Sequence, residues 1–206
     1  MDPVDLALVI ALDGSASVTY DEFGLMAGGL GAALRDTAVV KGLIGGPRHA
    51  SLGALLLWSG SGEQEVMIGW TRLVSQDDVS GFADQVENVP RTVRAGATAI
   101  GEALLACTHL LAEAPAAAKR QIIDVAGDGR SNDGPPPGPV RDRLVAAGAT
   151  INGLCVLHEE PDLLESYTRE VIGGPGAFAL TCADYTGFAE GMRRKLLREV
   201  SNEPVA

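Results

Sequence analysis

Apolar residues run unbroken over 6–12, inside a stretch from 4 to 12 that reads as a strand covered on both faces. Thr19, with Glu22 three residues on, forms a capping box. Phe23, Met26, Ala27, Leu30 and Leu34 then recur at helical spacing, so a loop over 13–18 joins the first strand to a helix. Stretches 49–58 and 65–73 read as strands separated by Ser59-Gly60-Ser61-Gly62, a link short enough for an antiparallel hairpin. The spacing predicts a short helix over 79–89 and another that starts at Thr98 and runs to about Glu113. A strand at 121–126 is broken by Gly127-Asp128-Gly129, and a stiff proline loop covers 133–139. A helix over 140–147 stops at Gly148, a natural C-terminal cap. A strand at 149–157, a helix at 163–171, a turn at 173–176 and a strand at 177–181 follow. The closing helix carries Phe188, Met192 and Leu196 on one face.

Strands alternating with helices imply right-handed crossovers. The expected fold is therefore α/β and doubly wound: a mostly parallel six-stranded sheet with one antiparallel edge strand and helices on both faces. No internal repeat or linker divides the chain, which reads as one domain over 1–206. In such sheets ligands bind beyond the carboxyl ends of the strands, where strand order reverses. Segments 13–18, 94–98 and 127–134 all end there, and the residues with chemistry are concentrated in them.

Composition narrows the classes. A net charge of −11 and a pI near 4.6 argue against nucleic acid, which is bound by clustered Lys and Arg. The longest apolar stretch is far too short to span a bilayer. Cys107, Cys155 and Cys182 form no paired motif; buried free thiols and a Cys155–Cys182 bridge are both compatible with the sequence. No signal peptide is visible. If Met1 stands in for a removed leader the location is periplasmic or secreted, and otherwise it is cytoplasmic. The sequence leaves the oligomeric state open.

Asp13-Gly14-Ser15-Ala16-Ser17 alternates oxygen-bearing side chains with small residues, so Asp13, Ser15 and Ser17 can converge. Thr98 adds a third hydroxyl and Asp128 a second carboxylate. An all-oxygen set suits a hard cation such as Mg²⁺ or Mn²⁺. The alternative is that the serines cap the first helix and Asp128 caps a turn.

Asp-x-Ser-x-Ser after the first strand, a Thr at the start of a central helix and an Asp-Gly after the fourth strand resemble the metal-ion-dependent adhesion site of von Willebrand factor A domains. Trp58-Ser59-Gly60, the Asp124 to Gly129 segment, Ile151-Asn152-Gly153-Leu154, the Ile172 to Phe178 segment and Arg194-Lys195-Leu196 resemble a bacterial family of uncharacterised proteins of that type. The resemblance covers nearly the whole chain. It implies that the serines and Thr98 bind the metal directly or nearly so, that one or both aspartates act through water, and that one position stays open for an Asp or Glu of a protein partner.

Other residues have two readings. Trp58 ends the second strand at the ligand-facing edge, as part of the rim or as a packed core aromatic. Asp133 and Pro136 lie in the proline loop, which is either a preorganised partner rim or a rigid connector. Asp124 is either a support for the metal site or paired with a basic side chain. Arg193, Arg194, Lys195 and Arg198 read as a solvated face of the last helix. His49, His109 and His158 show no metal-ligand spacing. No phosphate loop or nucleophile elbow is present. A non-catalytic, metal-dependent protein-binding module is the leading reading. The alternatives are a phosphatase-like hydrolase, with Asp13 as nucleophile but Ser15 where those enzymes carry an acid, and a scaffold whose metal is purely structural.

Overall fold

The first strand, β1 (Val4–Asp13), is buried along its whole length. In the structure, a computed structural model describing residues 1–201, it lies parallel to β2 (Ser51–Trp58) on one side and to β4 (Ala118–Gly127) on the other. Its side chains divide by size. Leu8, Ile10 and Leu12 enter one core layer, and Ala7, Val9 and Ala11 enter the opposite one. The six-stranded sheet has the order β3-β2-β1-β4-β5-β6, with β3 (Gln64–Leu73) the antiparallel edge and β5 (Ala149–Val156) and β6 (Ala179–Cys182) parallel on the other flank. Residues 202–206 of the expected 1–206 unit lie outside the description.

Helices α1 (Tyr20–Leu34), α2 (Thr37–Ile44), α3 (Gln76–Glu87) and α7 (Phe188–Val200) cover the face of Leu8 and Ile10. Helices α4 (Ile100–Ala112), α5 (Pro137–Ala146) and α6 (Leu163–Ser166) cover the other. Thr19 and Glu22 form the expected capping box at α1. Among the described residues no helix is long and apolar enough to cross a membrane. The three cysteines are free and buried, without a Cys155–Cys182 bridge.

Of the departures from the sequence reading, three concern α2, α4 and α5. Helix α2 was not anticipated: Asp36 caps it by accepting from the N–H groups of Ala38 and Val39, and only Val39, Val40 and Leu43 are buried, too short a pattern to stand out. Helix α4 starts at Ile100, because the backbone of Thr98 is bound elsewhere. Helix α5 starts at Pro137, so 137–139 form its first turn, where a residue without an N–H leaves nothing unsatisfied.

The basic run on α7 is not one solvated face. Lys195 is fully buried, with its ammonium 2.5 Å from Asp124 Oδ1 and 2.5 Å from Glu199 Oε1. Asn152 donates to Glu199 Oε1 at 2.8 Å and accepts the N–H of Phe178 at 3.1 Å. Asp124 is therefore a structural ion-pair partner on the α7 side of the sheet. Two buried acids share one ammonium, and burial pushes Glu199 from its ordinary 4.5 up to about 7 against the pull of Lys195.

Two outcomes follow. The folded protein keeps a proton that the unfolded chain releases near pH 4.5, so this group stabilises the fold at low pH and its contribution fades as pH rises to about 7. In urea unfolding across pH 4–8, Glu199→Gln should flatten that fall. Lys195→Met should lower stability by about 3–5 kcal/mol by stranding buried carboxylates, and adding Asp124→Asn with Glu199→Gln should recover most of it. A wild-type midpoint for Lys195→Met would remove the ammonium from this account.

Candidate metal centre

Strand order reverses at β1, whose neighbours β2 and β4 lead the chain away in opposite directions. Asp13 closes β1, opposite Trp58 in register, and Asp128 directly follows β4. Asp13 Oδ1 accepts the N–H of Ser15 at 2.7 Å, which turns the chain tightly as it leaves the sheet. The N–H of Gly14 donates to Trp58 O at 2.7 Å, and that of Ala16 to Gly96 O at 2.9 Å. Arg91 clamps the loop from within. Its guanidinium donates to the carbonyls of Gly14 at 2.8 Å, Ser15 at 2.7 Å and Val18 at 2.7 Å, and lies 5.2 Å from the Tyr20 ring centre. With those backbone groups satisfied, the serine hydroxyls are left for the site.

The five residues singled out in the sequence gather here. Ser17 Oγ donates to Asp128 Oδ1 at 2.7 Å and lies 3.1 Å from Ser15 Oγ. Tyr185 donates to Asp128 Oδ2 at 2.9 Å. Thr98 is gripped on both sides by Asn132, whose side-chain oxygen accepts Thr98 N–H at 2.8 Å and whose own N–H donates to Thr98 O at 2.9 Å. Thr98 Oγ1 lies 3.6 Å from where a Cβ on Gly129 would stand, which sets it against the residue after Asp128. Asp13, Ser15, Thr98 and Asp128 are buried, and Ser17 is exposed at the mouth.

Electrostatically the site is unbalanced. Burial, and next the charge of Asp128, push the Asp13 carboxyl up to about 7, against the pull of the Ser15 hydrogen bonds. Asp13 Oδ2 is buried without any hydrogen-bond partner. Two adjoining carboxylates, one with an orphaned oxygen, together with three hydroxyls, fit a hard divalent cation. The fit depends on the hydroxyls: among the described residues no group of three or more His, Cys, Asp or Glu is placed to hold a metal ion.

The rim residues separate. Trp58 has no exposed surface and packs with Val9, Ala11 and Ile100, so its side chain is core and only its carbonyl serves the site, through Gly14. Pro136 is exposed ahead of α5. Asp133 is half-buried and accepts the N–H of Ser61 at 2.8 Å and that of Gly134 at 2.8 Å, bonds that hold its carboxyl below the usual range. Both continue the segment whose Asn132 grips Thr98. Arg91, Asn132 and Tyr185 were missed by sequence reasoning. They lie far from Asp13 in the chain and carry no motif of their own.

The profile of a family described as "Protein of unknown function (DUF1194)" matches residues 3–204. No curated protein matches the chain significantly. Among solved structures, a von Willebrand factor type A protein from Catenulispora acidiphila superposes with a TM-score of 0.66 at 18% identity, over 97% of this chain and 44% of that one. Proximal thread matrix protein 1 from the mussel byssus, in a form described as having a zinc-occupied MIDAS motif, gives 0.65 at 16% identity, over 96% and 46%. The pilus adhesin SpaC from Lactobacillus rhamnosus GG gives 0.69 at 11% identity, over 97% and 31%. The chain thus spans less than half the length of each, and at these identities the likeness is one of fold.

The Arg91 clamp is testable by itself. Arg91→Ala should speed hydrogen exchange of the amides at 14–18 by about tenfold or more, the equivalent of one hydrogen bond to a charged group, and leave the core of β1 unchanged. Unaltered exchange at 14–18 would show that the guanidinium carries no weight there.

Proposed function

The chain belongs to the family of proteins of unknown function matched over residues 3–204 and has the fold of von Willebrand factor A domains, and on that premise we propose that it is a binding module that recognises an acidic side chain of a protein partner through a divalent cation. Asp13, Ser15, Ser17, Thr98 and Asp128 would hold the ion, Mg²⁺ or Mn²⁺. The observation that carries the reading is the buried, unpartnered oxygen of Asp13 beside Asp128 at the reversal of strand order. The solved mussel protein with a zinc-occupied MIDAS motif on a similar fold supports it.

When bound, the cation supplies positive charge at an exchangeable position near the mouth. The protein's part is to hold oxygen donors around that charge without neutralising it fully. Two carboxylates match a divalent ion, while the hydroxyls add donors but no charge, so an incoming carboxylate competes well with water. Asp133 and Pro136, in the segment that continues from Asn132, are the proposed partner rim. The reading involves no turnover. A phosphoryl-accepting Asp13 would need a solvent-facing oxygen, whereas Asp13 is fully buried and turned to Ser15 N–H.

Wild type should melt higher with Mg²⁺ or Mn²⁺ than with chelator. The gain should reach roughly 2.7 kcal/mol at one hundred times the dissociation constant, and Asp13→Ala with Asp128→Ala should abolish it. An equal gain in the double variant would place the ion elsewhere. Thr98→Ala should weaken metal-dependent capture of a partner and leave the fold intact. Metal-dependent hydrolysis of phosphate esters that is lost in Asp13→Asn, with metal still bound, would overturn the binding reading in favour of a phosphatase.

A further inference from the structure

Tyr167 is fully buried, and its hydroxyl has no hydrogen-bond partner. A phenylalanine would fill the same space without stranding a polar group, so the hydroxyl needs a reason. The surroundings are built around this one side chain. Tyr167 heads a π-helical turn, Tyr167–Val171, that continues α6 and is closed by the N–H of Ile172 donating to Tyr167 O at 2.9 Å. Turns of this kind are rare and recur at functional sites.

The ring crosses β5 at Gly153, where a Cβ would stand 2.7 Å from Tyr167 Cδ1. The hydroxyl end reaches Gly127 of β4, where a Cβ would stand 3.0 Å from the Tyr167 oxygen and 2.7 Å from Asp13 Oδ2. Two adjacent strands thus carry glycine where this tyrosine needs room. The two orphaned oxygens, Tyr167 OH and Asp13 Oδ2, converge on the same glycine.

We propose that Tyr167 is a positioning residue of the metal centre, its hydroxyl donating to Asp13 Oδ2, directly or through one water, once the cation is bound. The inference rests on the metal-dependent reading above. A phenol suits the task because it is a neutral donor. It orients the carboxylate without cancelling the charge that the cation requires, as a lysine or arginine would. The arrangement also completes a pair, since Tyr185 already donates to Asp128 Oδ2 at 2.9 Å. Of the three tyrosines in the chain, two then stand behind the two carboxylates of the site.

The test is calorimetric titration of the full chain with Mg²⁺ for wild type, Tyr167→Phe and Tyr185→Phe, with melting of each recorded in chelator. Tyr167→Phe should melt in chelator at or above the wild-type temperature, because it removes an unpartnered hydroxyl. Its Mg²⁺ affinity should fall by about tenfold or more, the usual effect of losing a group that orients a metal ligand. The tyrosine near-ultraviolet difference on adding Mg²⁺ should shrink in parallel. Tyr185→Phe, which removes the donor to Asp128 Oδ2, should also bind Mg²⁺ more weakly. Wild-type affinity in Tyr167→Phe, with Mg²⁺ bound by wild type, would overturn this inference and leave the binding reading standing. A loss of affinity matched by lower melting in chelator would also overturn it, by reducing Tyr167 to packing. No Mg²⁺ binding by wild type would overturn both.

Discussion

Two carboxylates, Asp13 and Asp128, share a buried space at the carboxyl ends of β1 and β4, and their desolvation, with mutual repulsion added to it, is the constraint around which this end of the molecule is arranged. Neighbouring groups orient them and do not neutralise them. Ser15 N–H and Ser17 Oγ each take one oxygen, and Tyr185 takes another. The nearby guanidinium of Arg91 is turned to backbone carbonyls, where it shapes the loop and leaves the carboxylate charges in place.

The same strand offers a contrast. Asp124, four residues before Asp128, is equally buried, but Lys195 reaches it and Glu199 together from α7. That second pair of acids has its cation inside the chain, and its role is to pin α7 to the sheet. The pair at the strand ends has none. The chain neutralises one buried acidic pair with its own lysine and leaves the other to neutral donors. One sheet thus carries a closed ionic network on its α7 face and an acidic pair without a cation of the chain at its strand ends.

Much of this was legible along the chain. The sheet and its antiparallel edge followed from unbroken apolar runs such as 6–12 and from the short link 59–62, because burial on both faces leaves a pattern that needs no long-range information. The five candidate residues were legible as a group for a related reason: they sit at strand ends and near a helix start, which the same pattern locates. Helix α2 was not, since three buried residues over two turns do not make a period. Nor was the start of α5, because prolines read as a loop until the structure uses them as a first helical turn.

The sequence by itself determined the order of the strands, the strand ends at which chemistry is concentrated, and the oxygen-only character of the candidate site. Those properties are local, set by periodicity and residue type. Only the tertiary structure decided which charges meet and which side chains are lost to the core. Lys195 reads as one more member of a basic run, and its burial depends on where α7 crosses β4. Trp58 reads as either a rim residue or a packed core aromatic until the fold places its ring in the core. Arg91, Asn132 and Tyr185 bond to the candidate site from segments far from Asp13, and distance along the chain carries no trace of that proximity. Coulomb repulsion and desolvation depend on separation and burial in space, so the character of this site appears only once the chain is folded.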